Sequence, residues 1–253
     1  ALPISEFGWQ PVLLTAPGAE DVPGAEIHRV ATLDLTKLWR KTTGDGGSAG
    51  QSTTTALNRW VMIPDKYFPW IRPAVRHARQ LKFDVVYSTS DPLSDHLVAR
   101  KIGAPYIAEF RDLWLGSPYF ARSHPTALHR AWHAHLECGV VRDATAIVGL
   151  SRGIADYFQR TYNKPARVIY NCFDPAEYAP TEPRKEFTVV YAGALYSSRS
   201  PEPFLAGFAQ FVKQHPAKFI IVGGSPDLDL PALIARHGLT QYVELIGRVS
   251  HAE

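Results

Sequence analysis

The chain has 253 residues, 45% of them apolar, with 27 basic and 24 acidic side chains and a formal charge of +3. That length fits one large or two modest domains around a real core, and so balanced a charge gives no footing to nucleic-acid binding. Two cysteines, Cys138 and Cys172, make no disulfide framework and fit a reducing, cytoplasmic setting, and no run of 18 apolar residues is present to span a membrane.

Residues 1–9 read as the tail of a helix with Gly8 as its C-cap. Strands are expected at 11–16 and 27–31. Residues 41–55, KTTGDGGSAGQSTTT, have no apolar period and read as a mobile loop, either a lid or a plain insertion. Pro64, Pro69 and Pro73 interrupt a helical pattern over 57–81. They predict two or three short helical pieces, packed through Trp60, Phe68 and Trp70. DVVYS at 84–88 predicts a strand. Asp91 is expected to cap the next helix, with Pro92 at its first position and Gly103 closing it. A strand at 105–110 leads straight into Arg111 and Asp112. Charges at a strand's carboxyl end stand where open α/β sheets build sites. The plain alternative is that these two pair with each other or cap a loop.

A long helix is expected over 123–143, carrying His124, His129, His133 and His135. His129 and His133 have the i, i+4 spacing of a zinc pair. Arg130 stands where H-E-x-x-H has its glutamate and no third ligand is evident, so these histidines read as packing or solvated residues. A strand at 145–148 turns through Ser151, a helix cap, into a helix ending at 162. The strand at 167–170 ends in Asn171-Cys172-Phe173-Asp174. Proline and charge then concentrate, which places a linker at 176–186 between a first domain of residues 1–175 and a second of 187–253.

The second domain opens with FTVVYAGALYSSRSPEPFLAGFAQFVKQHPAKFIIVGG, starting at Phe187. A β-branched and aromatic run at 187–191 predicts a buried strand. A loop of small residues follows, then Ser200 as N-cap and Pro201 at the first helical position. Phe204, Leu205, Phe208, Phe211 and Val212 recur at helical spacing, and 219–222 predicts a second strand ended by Gly223-Gly224. Such a βαβ unit sets its loop and helix N-terminus at the carboxyl edge of a parallel sheet, where anions and nucleotides bind. Arg199, just before the cap, is either a diphosphate clamp or a solvated surface charge. Neither the G-x-G-x-x-G fingerprint nor the Walker pattern occurs in this stretch. A helix at 231–238, a strand at 243–246 and a turn at Gly247-Arg248 complete the chain.

Taken in order, these segments resemble glycosyltransferase family 4, and the resemblance covers nearly the whole chain. LPISEFGWQPVLLTA is similar to the end of the family's first helix and its second strand. DVVYSTSDPLSDHLVARKIGAPYIAEFRDLW looks like the acceptor-side segment, which in one bacterial branch ends in Arg-Asp-x-Trp. AIVGLSRGIADYF, VIYNCFDPAEY, YAGALYSSRSPEPFL and FIIVGG with LIGRVSHAE resemble the segments that follow. The resemblance implies an α/β, GT-B fold of two Rossmann-like domains facing across a cleft. It also implies that the first strand of the N-terminal domain and the second half of the C-terminal domain are missing. The chain thus reads as an internal fragment, inactive by itself.

The resemblance further implies a retaining transfer of sugar from a nucleotide-sugar donor, a UDP- or GDP-sugar, to a cell-envelope saccharide or lipid-linked acceptor. It implies no metal and no cofactor, a cytoplasmic enzyme, and contact with the inner face of the cell membrane. Carried over by position, Asp112 and Arg199 are the catalytic pair, Arg199 standing at the lysine of G-R-L-x-x-x-K-G. Glu109 and Arg111 fall on the acceptor side. Gly193, Ala194, Gly223, Gly224 and Arg248 join Arg199 in lining the donor, and Asn171 lies between the domains. There are departures. Ala194 replaces the usual arginine of the loop, Cys172 replaces a glycine, and the family's paired glutamates lie beyond the equivalent of Glu253. A nucleotide-sugar epimerase of the same build, or a non-catalytic nucleotide-binding or scaffold homologue, are the alternatives.

Overall fold

The computed structural model describes residues 3–32, 62–117, 120, 126–173, 186–197 and 200–249. The chain divides into two compact units, Ala1–Asn171 and Cys172–Glu253. The expected lid at 41–55 lies outside the described residues, as do Trp60, His124 and, apart from Glu186, the expected linker.

In the first unit β1 (Val12–Thr15) pairs in parallel with β2 (Glu26–Arg29). A four-stranded parallel sheet follows in the order β3 (Val86–Thr89), β4 (Tyr106–Phe110), β5 (Ala146–Gly149), β6 (Ala166–Val168). Parallel neighbours need crossovers. Helices α2 (Ser94–Ile102), α3 (Ala127–Asp143) and α4 (Arg152–Tyr162) supply them, with α1 (Ile71–Ala78) before β3. All four strands therefore end on one edge of the sheet. Tyr106, Ala108 and Phe110 alternate on the buried face of β4, and the Phe110 and Phe158 rings meet at 4.5 Å in the core. The Trp70 indole donates to the Val30 carbonyl at 3.1 Å, which ties the segment before α1 to the chain just after β2.

The second unit is the expected βαβ run extended by one step. β7 (Phe187–Ala192), β8 (Ala217–Val222) and β9 (Val243–Ile246) form a parallel sheet in chain order, joined by α5 (Glu202–Phe211) and α6 (Leu230–Arg236). Leu205 and Phe208 of α5, Phe219 and Ile221 of β8 and Leu233 of α6 form its core.

Several local expectations are corrected. Residues 3–7 form a 3-10 turn, Pro3–Phe7, which Gly8 ends at φ +80°. The segment before β3 is a 3-10 turn, Phe68–Trp70, running into α1, and Pro73 sits harmlessly in the first helical turn. Asp91 does not cap α2. The helix starts at Ser94, whose N–H and hydroxyl both donate to the Asp65 carboxylate, at 2.8 and 2.7 Å. The cap is tertiary and comes from 29 residues upstream. Helix α3 starts at Ala127, and the Thr126 hydroxyl accepts the His129 N–H. On α5 the apolar face is narrower than expected: Phe204 and Phe211 are 43% and 38% exposed.

Candidate functional site

Each unit presents a carboxyl edge, where most of the sequence-picked residues that the structure describes are found. In the first unit, β4 hands over to a loop that begins with Arg111 and Asp112, both exposed. The start of this loop is fastened to the loop after β3. The Ser90 N–H donates to the Glu109 carbonyl at 3.0 Å, and the buried Ser90 hydroxyl accepts the Arg111 N–H at 3.3 Å. Among the described residues no ion pair joins Arg111 to Asp112, so the plain pairing alternative is not what the fold uses. Glu109 is half-buried on β4 and lies beside Tyr87 of β3. The Tyr87 phenol is pushed up to about 12, first by burial and then by the Glu109 charge and hydrogen bond.

The same edge is acidic. Asp91 is raised above the ordinary carboxylate range, by burial first and then by the charges of Asp112 and Asp65. Asp95, in the first turn of α2, is pushed up to about 7 by burial and by Asp65. A cavity of about 620 Å³ opens here, lined by Thr15, Lys66, Tyr67, Trp70, Asp91 and Asp95, among others. Carboxylates accept hydrogen bonds from hydroxyls, and flat aromatic faces suit sugar rings, so this basin is chemically suited to a hydroxyl-rich ligand. Asp65, which organises it, was missed in the sequence because its partner Ser94 is far along the chain.

In the second unit the ends of β7 and β8 cross at two glycines. Gly193 has φ +147° and Gly223 φ +134°, conformations open to glycine alone among the residues that fit here. A Cβ on Gly223 would stand 2.1 Å from the Gly193 carbonyl oxygen. The loop after β7 is then stitched to the loop after β8. Gly193 N–H donates to Val222 O at 2.9 Å, and Leu195 N–H to Gly224 O at 3.0 Å. Ser197 gives both its N–H and its hydroxyl to the Asp227 carboxylate, at 3.0 and 2.7 Å. The Tyr191 hydroxyl donates to the carbonyl of Ala194. The Ser200 hydroxyl accepts the Glu202 N–H at 3.2 Å, but α5 begins at Glu202 with Pro201 as its N-cap, so Ser200 and Pro201 each stand one residue before the positions expected of them. Gly193, Ala194, Gly223 and Gly224 thus meet at one edge, and Arg248 lies exposed just beyond β9 on the same edge. Arg199 lies outside the described residues. Asn171 is exposed at the end of the first unit. Asp227 was also missed, although S-P-D straight after a strand-ending Gly-Gly is a recognisable turn signal.

Of the α3 histidines, read as packing or solvated, two pack and His135 is exposed. His129 and His133 are buried, with His129 Nδ1 2.8 Å from the Thr126 hydroxyl and the Trp114 indole donating to His133 Nδ1 at 2.9 Å. Among the described residues no group of three His, Cys, Asp or Glu side chains is placed to hold a metal ion.

Residues 7–177 match the family model described as Glycosyltransferase Family 4. No curated protein sequence matches the chain. Solved structures do. The chain is similar to a sucrose-phosphate synthase from Thermosynechococcus elongatus, with 14% identity and a TM-score of 0.60, over 98% of this chain and 63% of that one. It is similar to HepE of Anabaena in complex with UDP and glucose, with 16% identity and a TM-score of 0.56, over 96% and 70% of the two chains. It is also similar to the apo form of the lipopolysaccharide outer core galactosyltransferase WaaB, with 14% identity and a TM-score of 0.50, over 90% and 54%. At such identities the likeness is one of fold: two Rossmann-like units of the GT-B kind. The chain spans between half and two thirds of the length of WaaB and of the synthase.

Proposed function

The chain belongs to glycosyltransferase family 4, and from that membership we propose that it is part of an enzyme moving a sugar from a nucleotide-sugar donor to a hydroxyl acceptor. The observation that carries the reading is the glycine crossing at Gly193 and Gly223. It brings two backbones together at the carboxyl edge of a parallel sheet and launches a loop toward the N-terminus of α5. Backbone N–H groups and a helix N-terminus at such an edge favour an anionic diphosphate.

In this reading Arg199 meets the diphosphate, with Gly193, Ala194, Gly223, Gly224 and Arg248 lining the nucleotide. As the bond from sugar to diphosphate lengthens, charge gathers on the leaving phosphate, and a fixed cation stabilises that charge more than it does the ground state. One preorganised donor of this kind contributes roughly 3–4 kcal/mol. Asp112 orients the acceptor hydroxyl or takes its proton, with Glu109 and Arg111 beside it. The transfer retains configuration and uses neither metal nor cofactor. HepE is solved with UDP-glucose, which supports a UDP-sugar donor here, with a GDP-sugar the other candidate. WaaB, a lipopolysaccharide galactosyltransferase, supports a cell-envelope saccharide or lipid-linked acceptor. The enzyme works in the cytoplasm at the inner face of the membrane. No helix among the described residues is long and apolar enough to cross a membrane.

The test is turnover of the complete protein and its Arg199→Ala variant. A loss of about a hundredfold or more is expected. Near-normal turnover removes Arg199 from the mechanism. Donor conversion without any acceptor would favour the epimerase, and nucleotide binding without turnover a non-catalytic homologue.

A further inference from the structure

We propose that Asp227 is a positioning residue that sets the loop after β7 against the donor diphosphate, a role that rests on the transferase reading above. Three rungs at alternate residues join this loop to the one after β8. The Gly193 and Leu195 N–H groups donate to the carbonyls of Val222 and Gly224, at 2.9 and 3.0 Å. The third rung is made by a side chain. The Ser197 N–H donates to Asp227 Oδ1 at 3.0 Å, and the Ser197 hydroxyl to Oδ2 at 2.7 Å. Between the rungs, the N–H groups of Ala194 and Tyr196 have no acceptor among the described residues. Backbone amides of this kind are donors for a phosphate oxygen.

Asp227 itself stands on a firm base. The Ser225 hydroxyl donates to the Leu228 carbonyl at 2.8 Å and closes the turn that carries it. Just beyond, the Asp229 carboxylate caps α6 by accepting the Ala232 N–H at 3.0 Å, and Leu230 is buried. At the far end of the donor loop, the Ser200 hydroxyl holds the Glu202 N–H at the start of α5. Ser197 and Ser200 are thus both anchored. Arg199, outside the described residues, follows Ser197 by two positions in the chain.

Stability by itself is a poor reason for this carboxylate. The loop is already held as far as Leu195, which is buried in the core of the second unit. Ser197 and Asp227 are exposed, and hydrogen bonds there compete with water and stabilise little. A negative charge at an edge that receives a diphosphate is also unfavourable by repulsion. What the carboxylate adds is direction. Two acceptors on one planar group fix both donors of Ser197, and with them the course of the chain beyond Leu195. A local rule broken without a gain in stability is expected where function sets the residue.

The experiment uses the full-length protein, Asp227→Ala, Asp227→Asn, Arg199→Ala and the double variant of Asp227→Ala with Arg199→Ala. Transfer is followed with UDP-glucose and GDP-mannose as donors and octyl glycosides as acceptors. Asp227→Ala is expected to lose about tenfold in kcat/KM for the donor at unchanged acceptor KM. Its melting temperature should stay within about 2 °C of wild type, since only exposed bonds are lost. Asp227→Asn keeps an oxygen for the Ser197 N–H and offers an N–H to the Ser197 hydroxyl, so it should recover to within about threefold of wild type. With Arg199 already removed, the further loss from Asp227→Ala should shrink to about threefold or less, because residues that act through one loop are not additive. A further loss above about threefold in the double variant overturns the proposal. So do unaltered donor kinetics in Asp227→Ala, or an equal loss in Asp227→Asn, and all three leave the transferase reading standing. A wild-type protein that transfers from neither donor removes the transferase reading, and the role of Asp227 with it.

Discussion

Gly223→Ala tests the geometry at the donor edge. The added Cβ stands 2.1 Å from the Gly193 oxygen and 2.8 Å from its carbonyl carbon, and both are backbone atoms that no rotamer change can clear. The φ of +134° is itself unfavourable for alanine, by about 1–3 kcal/mol. Forcing the strands apart adds about 1–3 kcal/mol of overpacking and loosens the Gly193-to-Val222 and Leu195-to-Gly224 hydrogen bonds. A total near 4 kcal/mol corresponds to a fall in melting temperature of about 15–30 °C for a unit of this size. Gly207→Ala is the matched control. It lies inside α5 with nothing within 4 Å of the new methyl group, so it should stabilise by up to about 1 kcal/mol. The assay is thermal unfolding of the complete protein by circular dichroism, alongside nucleotide titration. Gly223→Ala melting within 2 °C of wild type, with unaltered affinity, would refute the reasoning. It would mean that the two loops part without cost.

Asp227→Ala should weaken nucleotide binding about fivefold to tenfold while moving the melting temperature little, because it frees an exposed loop from the Ser197 bonds; calorimetry and a melt together check this. Asp65→Ala removes both acceptors at the start of α2, and should cost about 1–2 kcal/mol in denaturant unfolding. It also lowers the pKa of Asp95, since the Asp65 charge adds to burial in raising it, which is measurable by carboxyl NMR titration. Glu137 sets a pH signature. Its folded pKa, near 7, lies above its ordinary 4.5, so the folded state holds the proton more tightly. Its contribution is fully present below about pH 4.5 and is lost as pH rises to 7, by about 3 kcal/mol. Glu137→Gln should therefore gain in melting temperature relative to wild type as pH goes from 5 to 8, and a constant difference would contradict the assignment.

Strands were legible where a short apolar, often β-branched run is closed by turn residues, as in β7 and β8. The run at 243–246 coincides with β9, and the βαβ logic of the second unit follows from the same signals. Helix ends were legible where the cap is local, as with Ser151, whose hydroxyl takes the Ile154 N–H. They were not where the cap is tertiary, because nothing near Ser94 points to Asp65. The burial of an apolar face was over-read on α5: Leu205 and Phe208 are buried, while Phe204 and Phe211 stay partly exposed although their rings reach Phe219 and Phe187 at 4.7 and 5.6 Å. At the site, glycines and terminal charges could be picked by position in the fold. The buried polar groups could not, because Glu137 among apolar neighbours carries no sequence sign of the Tyr157 and Tyr162 hydroxyls it accepts.

The central claim, a nucleotide-sugar transferase, is most directly tested by calorimetric titration of UDP, GDP and their sugars, without metal, into the complete protein and Arg199→Ala. One nucleotide should bind the wild type and lose at least tenfold in affinity in the variant. A folded wild-type protein that binds none of them would contradict the account.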